Sequence, residues 1–590
     1  MNKCQKIVVI VISAVFLVIY LNSVRIFAFF NRGILSVPVL NEAEVTDICS
    51  GKEMVQQDWL FFYDGYPVTY DRNSGTIYIP QRIGEDVNWE GKLSAETGNL
   101  YFTEDEYWDK RNDAISEGHA FEIYQVREDA YSVYHVVFTG MPIMNLLAEK
   151  RVEELNNYGE TREVNYGTVQ VFDQYRSSVR FQSAECAFHE RGGSSGFLPK
   201  KSYKLDLIDE KLSLLGMRKD DDWILNSLYD DAGLIHNKIS YQVWGEIAAY
   251  NDVPNDDGTT MEFIEVFINN EYQGVYGLTE RIDKKELSLG KNDKLYKCRA
   301  DRIPEEHNYT NEMTDEMRPI FVLKYPDDYG DKDWEPIKKW VNYFLKEEFS
   351  TYEEGAALLN MENTLDYNLY CMLSGGVDNK RKNVFFAAEY QNDGTYVFKK
   401  VPWDTNATWG NIWLEWEESN NTLYDPDAYQ SVDQWVTDMS VLYFYDDVKV
   451  SNMLYQRWIE LRQNGVITPE KICEMVDEQF AYLHASGGYK RNYERWPNGT
   501  EYWKDEYIYE FINKRIAFLD GYYPQLCEDV VAPAIYEGVD YSGEFDARYY
   551  WEKNYETLSE LYTFDRQTLL EHYVLYGKPF GLTGRRQKGD

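Results

Sequence analysis

Alternating apolar and polar positions predict short strands in the first third of the chain. Four-residue spacing of apolar positions predicts helices further on. Residues 59–63, 67–70 and 76–80 are β-like runs separated by Asp-Gly and Ser-Gly, and residues 119–138 add aromatic and β-branched candidates. Residues 167–172 read as another strand, and residues 263–268 and 272–278 flank Asn269-Asn270 as a hairpin. Ile235, Ile239, Val243 and Ile247 recur at steps of four and predict a helix over 234–249. Further helices are expected around 336–346, at 448–462 and at 469–484. A helix over 365–373 is expected to be capped by Asn363-Thr364 and stopped by Gly375-Gly376.

That stop delivers Asp378 onto a loop ahead of two strands, 384–390 and 396–401, which flank Asn392-Asp393-Gly394-Thr395. A two-residue turn at Asp393-Gly394 sets Asn383 opposite Asp404, with Cβ atoms roughly 5 Å apart. Two oxygen ligands and a nearby carboxylate then converge at one end of a hairpin. This is the arrangement needed to hold Mg²⁺ on a nucleotide and to position an attacking hydroxyl. Upstream, Arg191-Gly192-Gly193-Ser194-Ser195-Gly196 feeds a segment carrying Lys200, Lys201 and Lys204. Glycines let backbone N–H groups approach phosphates, and a lysine on the next strand neutralises them. The loop is not a Walker A motif, and an ordinary β-turn accounts for it equally well. Alternation puts Lys200 and Lys204 on one strand face and Lys201 on the other, without saying which face meets a cleft. Glu280 and Arg281 close the 272–278 strand, as site residues or as an exposed strand end.

The balance of 60 Lys+Arg against 100 Asp+Glu, a formal charge of −40, argues against a nucleic-acid partner. A nucleotide site in such a chain must create local positive potential against the overall field. Lys3 and Lys6 precede an apolar run over 7–21, and a second apolar piece follows Arg25, with no clear cleavage signal after it. An uncleaved single-pass membrane anchor over residues 1–36 is expected, with the remaining chain outside the cytoplasm; export to the cell surface after cleavage is the alternative. The cysteines form no C-x-x-C pair, so a zinc site is not expected. The six beyond Cys4 allow three disulfides, although free buried thiols suit most of them better.

Residues 138–530 resemble the CotH kinase family, the spore-coat protein H type of atypical protein kinase. The resemblance rests on ordered motifs: Arg191-Gly192-Gly193-Ser194-Ser195, Pro199-Lys200-Lys201-Ser202-Tyr203, Asn237, Tyr272-Gln273-Gly274-Val275-Tyr276 with Glu280, Asp378 with Asn383, and Pro402-Trp403-Asp404. It implies an α+β chain with a two-lobed kinase-like domain at 138–531. A β-rich region at 37–137 precedes it and a small helical module at 532–590 follows. The module's Phe545-Asp546-Ala547-Arg548-Tyr549-Tyr550 and His572-Tyr573-Val574-Leu575-Tyr576-Gly577 resemble terminal modules of bacterial surface proteins.

The resemblance further implies transfer of the ATP γ-phosphoryl group to Ser, Thr or Tyr of an extracytoplasmic protein, with Mg²⁺ or Mn²⁺. Asp378 would be the catalytic carboxylate, with Asn383 and Asp404 on the metal. Lys201 is the choice for the phosphates, beside the loop from Arg191 to Ser195, and Glu280 would contact nucleotide or support the site. Two departures stand out. The family's W-D-x-D is Trp403-Asp404-Thr405-Asn406 here, so Asn406 offers the metal a carbonyl in place of an acid, and His236 stands where the family often carries Arg before Asn237. A catalytically weak or inactive surface-binding protein is therefore the competing expectation.

Overall fold

The computed structural model describes residues 33–55, 60–150, 163–174, 180–192, 194–254, 256–299, 320–345, 351–380, 382–413, 422–425, 427–497, 504–559, 561–562 and 564–585. The expected anchor lies outside the described residues except for its last four positions, which enter the N-terminal sheet. Among the described residues no helix is long and apolar enough to cross a membrane.

The aromatic-rich first region folds into an eight-stranded sheet. Its long strands are β1 (Val37–Leu40), β2 (Thr76–Pro80), β3 (Asn99–Thr103), β4 (Ala120–Val126) and β5 (Ala130–Thr139), in the order β1-β3-β4-β5-β2. One face buries Ile77, Ile79, Phe121, Ile123, Val136 and Phe138, so most of the aromatic excess in this region is core.

Next comes a closed seven-stranded barrel. It comprises β6 (Ile143–Ala148), β7 (Asn165–Phe172), β8 (Phe181–Arg191), β9 (Ser202–Leu207), β10 (Asp222–Asn226), β11 (Met261–Ile268) and β12 (Glu271–Glu280). Neighbours run antiparallel except for the closing β6–β11 pair, which is parallel. Alternation is clear on β9, where Tyr203, Leu205 and Leu207 are buried inside while Lys204 and Asp206 face outward. Asn269 and Asn270 both take positive φ, so the β11–β12 turn is the two-residue type that Asn tolerates. Helix α1 (His236–Tyr250) follows β10 and is buried along Ile239, Val243 and Ile247.

The second half is a four-stranded sheet and helices. The strands are β13 (Lys294–Cys298), β14 (Phe321–Tyr325), β15 (Val384–Tyr390) and β16 (Tyr396–Pro402), in the order β14-β13-β15-β16. Around them pack α2 (Glu335–Phe344), α3 (Met361–Ser374), α4 (Asp447–Gln463), α5 (Pro469–Ala485), α6 (Gly488–Arg495) and α7 (Glu506–Val531). Helix α3 begins earlier than expected. Asn360 is its N-cap, accepting from the Asn363 N–H, while Asn363 is buried and donates to Asp256 and to the Lys400 carbonyl. Gly375 ends it in the left-handed region, as its place after the last apolar residue predicts.

Buried charges join these parts. Arg491 on α6 pairs with Glu265 of β11 at 2.8 Å and donates to Thr139 at the end of β5, so three regions share one guanidinium. Arg515 on α7, fully buried, donates to the carbonyls of Met372, Tyr429 and Ser431 and braces the last turn of α3. Removing one partner of such a group costs about 3–5 kcal/mol, because the other is left buried and unpaired. The tail carries α8 (Ala547–Lys553) and α9 (Arg566–His572); its Phe545, Tyr550 and Trp551 belong to the same hydrophobic core as α3, α4 and α7. The six described cysteines are all free thiols.

Candidate functional site

Helix α3, a one-turn 3₁₀ helix (Val377–Lys380), β15, β16 and the start of α1 build the site around Trp403-Asp404. The β15–β16 register differs from the expected one. The Gln391 carbonyl accepts from Gly394 N–H, Gln391 N–H donates to the Thr395 carbonyl, and Asp393 Oδ1 accepts from the Thr395 N–H and hydroxyl. With Gly394 at φ 88°, this is a longer turn with a glycine bulge rather than a two-residue one. The pairing therefore shifts by one residue. Val384 faces Pro402, Asn383 accepts from the Trp403 N–H through its carbonyl, and Asp404 lies one step beyond the ladder.

The two remain neighbours. Asn383 Nδ2 lies 3.5 Å from the Asp404 carbonyl oxygen. Both residues are left-handed, at φ 55° and 56°, a conformation that Asn and Asp tolerate far better than β-branched residues.

Asn379 pins this geometry. It is buried, and its amide donates to the Asn383 carbonyl at 3.1 Å and to the Trp403 carbonyl at 3.0 Å, while its own carbonyl accepts from Tyr367 of α3. The preceding residue, Asp378, is half-buried and ion-paired with Lys382 at 3.2 Å. From the other side, α1 holds the segment after β16. Tyr241 Oη accepts from the Asp404 N–H at 3.2 Å, and Asn237 Oδ1 accepts from the Thr405 N–H at 2.8 Å. Asn406 donates to Asp230 Oδ2 at 2.9 Å. Burial, and then the Asp404 charge, pushes the Asp230 carboxyl up to about 7. His236 bonds Asp231 at 2.6 Å, both fully buried, and so holds the turn that leads into α1.

Across from Asp404 stand cations. The Arg191 guanidinium lies 5.7 Å, and Lys297 Nζ 5.2 Å, from the Trp403 ring. Burial, and then the Arg191 charge, pulls the Lys297 ammonium down to about 7; Lys324 and Arg299 add to the same positive field. Lys324 on β14 is drawn down to about 8 by burial and by Arg281 and Arg299. In a chain of charge −40, this is a concentrated basic patch, the local inversion that an anionic ligand requires.

The expected lysines are placed otherwise. Lys200 and Lys201 precede β9, so strand alternation does not govern them. Lys200 is buried and donates to the Val275 carbonyl and to Asn492. Lys201 turns back to the Gly196 carbonyl at 2.7 Å, and Lys204 pairs with Asp206 at 2.6 Å. Within the loop, Gly192 at φ 126° leaves no room for a Cβ, which would meet the Ser195 hydroxyl at 2.3 Å. Ser194 and Ser195 start a 3₁₀ turn, and Gly193 lies outside the described residues. Glu280 is buried and accepts from the Arg218 N–H at 2.7 Å, with burial raising its carboxyl. It braces the turn before β10.

Sequence reasoning missed Lys297, Asn379 and Asp230. Lys297 sits on a strand with no motif around it. For Asn379, its place beside Asp378 was the available signal.

Among the described residues no group of three or more His, Cys, Asp or Glu side chains gathers as a free-standing metal centre. The donors present are hard oxygens, the Asp404 carboxylate and the Asn383 amide. They suit Mg²⁺ or Mn²⁺ in a site completed by phosphates, which needs fewer protein ligands. A model of the CotH kinase protein family matches residues 188–519, more than half of the chain. No curated protein matches the chain.

Proposed function

The chain belongs to the CotH kinase protein family, and from that premise we propose that it transfers the γ-phosphoryl group of ATP to a Ser, Thr or Tyr hydroxyl of an extracytoplasmic protein. The observation that carries this reading is the pair of cations, Arg191 and Lys297, over Trp403 beside Asp404. Two positive groups over one ring repel each other, and a polyphosphate between them relieves that repulsion. In this reading Arg191 and Lys297 bind the phosphates, backed by Lys324 and Arg299. This is Lys297 in the role first given to Lys201.

Asp404 and Asn383 would hold the divalent cation, which would supply neutralisation of the charge on the phosphates. Asp378 orients the acceptor hydroxyl and takes its proton, with Lys382 paired to the carboxylate at 3.2 Å. Asn379 positions Asp378, Asn383 and Trp403 relative to one another. Positioning and charge neutralisation supply the rate enhancement, since phosphoryl transfer asks little covalent chemistry of the protein.

Residues 1–36 anchor the chain in the membrane in this proposal, with 37–137 and 532–590 as flanking modules around a two-lobed kinase domain. A second reading, a weak or inactive kinase-like binding protein, is favoured by Asn406 standing in place of an acid. Transfer of labelled γ-phosphate by wild type, Asp378→Ala and Asp404→Ala, together with a thermal shift on adding ATP and Mn²⁺, separates the two. Transfer lost in both variants supports the enzyme. A wild type that is stabilised by nucleotide but transfers nothing supports the binding protein.

A further inference from the structure

Asn406 brings an amide to the position where the family carries a second acid, and an amide supplies no negative charge. Its Nδ2 nevertheless ends on a carboxylate, that of Asp230, at 2.9 Å. An aspartate at 406 would bring a second carboxyl group to hydrogen-bonding distance of the first, and the two could not both ionise without strong repulsion. The amide at 406 and the acid at 230 are therefore a matched pair.

The surrounding contacts hold that pair in place. Asn411 Nδ2 donates to the Asn406 carbonyl at 2.8 Å and lies 3.5 Å from the Asp230 carbonyl. The next residue, Asp231, is locked to His236 through both its side-chain oxygens, which fixes the turn carrying Asp230. Asp404, Thr405 and Asn406 are thus each bonded by a different residue of the segment 230–241: Tyr241, Asn237 and Asp230.

Resting on the nucleotide reading above, we propose that Asp230 is the second cation-binding carboxylate of this chain, with Asn406 as the donor that orients it. Asp404 and Asp230 together offer a divalent cation two carboxyl groups. Asp404 with Asn383 and Asn406 offers one. The acid missing from the Trp403-Asp404-Thr405-Asn406 stretch is then not lost. It stands on the turn before α1, and the site stays chemically equipped for Mg²⁺ or Mn²⁺.

The test is Mn²⁺ binding to the full-length chain with saturating ADP, read from the electron paramagnetic resonance signal of free Mn²⁺. Nucleotide affinity in the presence of a chelator is measured alongside. Asp230→Asn is expected to weaken Mn²⁺ binding at least tenfold, roughly the lower end of what altered metal-site residues cost, with chelated-buffer ADP affinity unchanged. The double variant Asp230→Asn/Asn406→Asp, which returns the acid to the motif, is expected to recover most of that loss. Should Asp230→Asn lower the melting temperature markedly, Asp230→Ser gives the same comparison in a smaller side chain. Wild-type Mn²⁺ affinity in Asp230→Asn, or a double variant no better than the single one, overturns the proposal alone. A wild type that binds ADP but no Mn²⁺ overturns it too, and a wild type that binds neither removes the nucleotide reading with it.

Discussion

The glycine-rich segment from Arg191 to Lys204 and the hairpin end from Asp378 to Asn406 look equally chemical in the sequence, yet they are used differently. The first spends its lysines internally: Lys200 on the barrel and Asn492, Lys201 on its own loop, and Lys204 on Asp206. It sends only Arg191 towards Trp403. The second concentrates hydrogen bonds on holding Asn383 and Asp404 in left-handed backbone, and draws its cation from β13, a strand with no recognisable motif. A motif lysine is thus no guide to where a lysine's charge is available. Availability depends on how far burial and neighbouring charge are offset, and for Lys297 burial and Arg191 outweigh the Asp404 carboxylate, which leaves the ammonium short of negative charge.

The contrast breaks most visibly at the hairpin. Asp404→Ala is expected to lower labelled γ-phosphate transfer by roughly 100- to 1,000-fold, the scale of losing one preorganised electrostatic group. Wild-type transfer by that variant would move the chemistry elsewhere. Lys297→Met is expected to weaken ATP binding by about 2 kcal/mol in calorimetry, the worth of one charge-assisted hydrogen bond. Lys201→Met is expected to leave ATP binding unchanged, and the reverse ranking would return the phosphates to the glycine-rich loop.

A smaller, pH-dependent effect sharpens the same point. Burial and Arg191 pull the Lys297 ammonium down to about 7, and a bound phosphate is expected to raise it towards the ordinary lysine range. The contribution of this residue to ATP affinity then falls as pH rises through 7, by at most about tenfold per unit. Calorimetry at pH 8 in buffers of different ionisation heat should show proton uptake, absent in Lys297→Met. The unliganded fold behaves oppositely. Between pH 7 and 10.5 the unfolded lysine binds more protons, so this residue's contribution to stability rises with pH. Smallest of all, Gly192→Ala is expected to cost about 1 kcal/mol in denaturant unfolding, from its positive φ and the Ser195 contact.

Much of the element pattern was legible. The strands at 384–390 and 396–401, the Asn269-Asn270 hairpin, the Gly375 stop and the helices near 448–462 and 469–484 follow from local periodicity and turn chemistry. Such signals act within a few residues and need no distant partner. The hairpin register misled because Asp393-Gly394 fits two turn types, and the Asp393 side chain selects the longer one by bonding Thr395. The cap of α3 misled because Asn363, a good capping residue, is instead drawn into the interior by Asp256 and the Lys400 carbonyl, more than thirty residues away.

The sequence by itself determined the family, many of the element types though not the strands Lys294–Cys298 and Phe321–Tyr325, and the presence of an Asp, an Asn and a second Asp near one hairpin, since these depend on residue identity and spacing. Tertiary structure alone decided which cations meet Asp404 and which carboxylate meets Asn406. Lys297 and Asp230 lie on separate elements, and their charges matter only through distance and burial, neither of which is written locally in the chain.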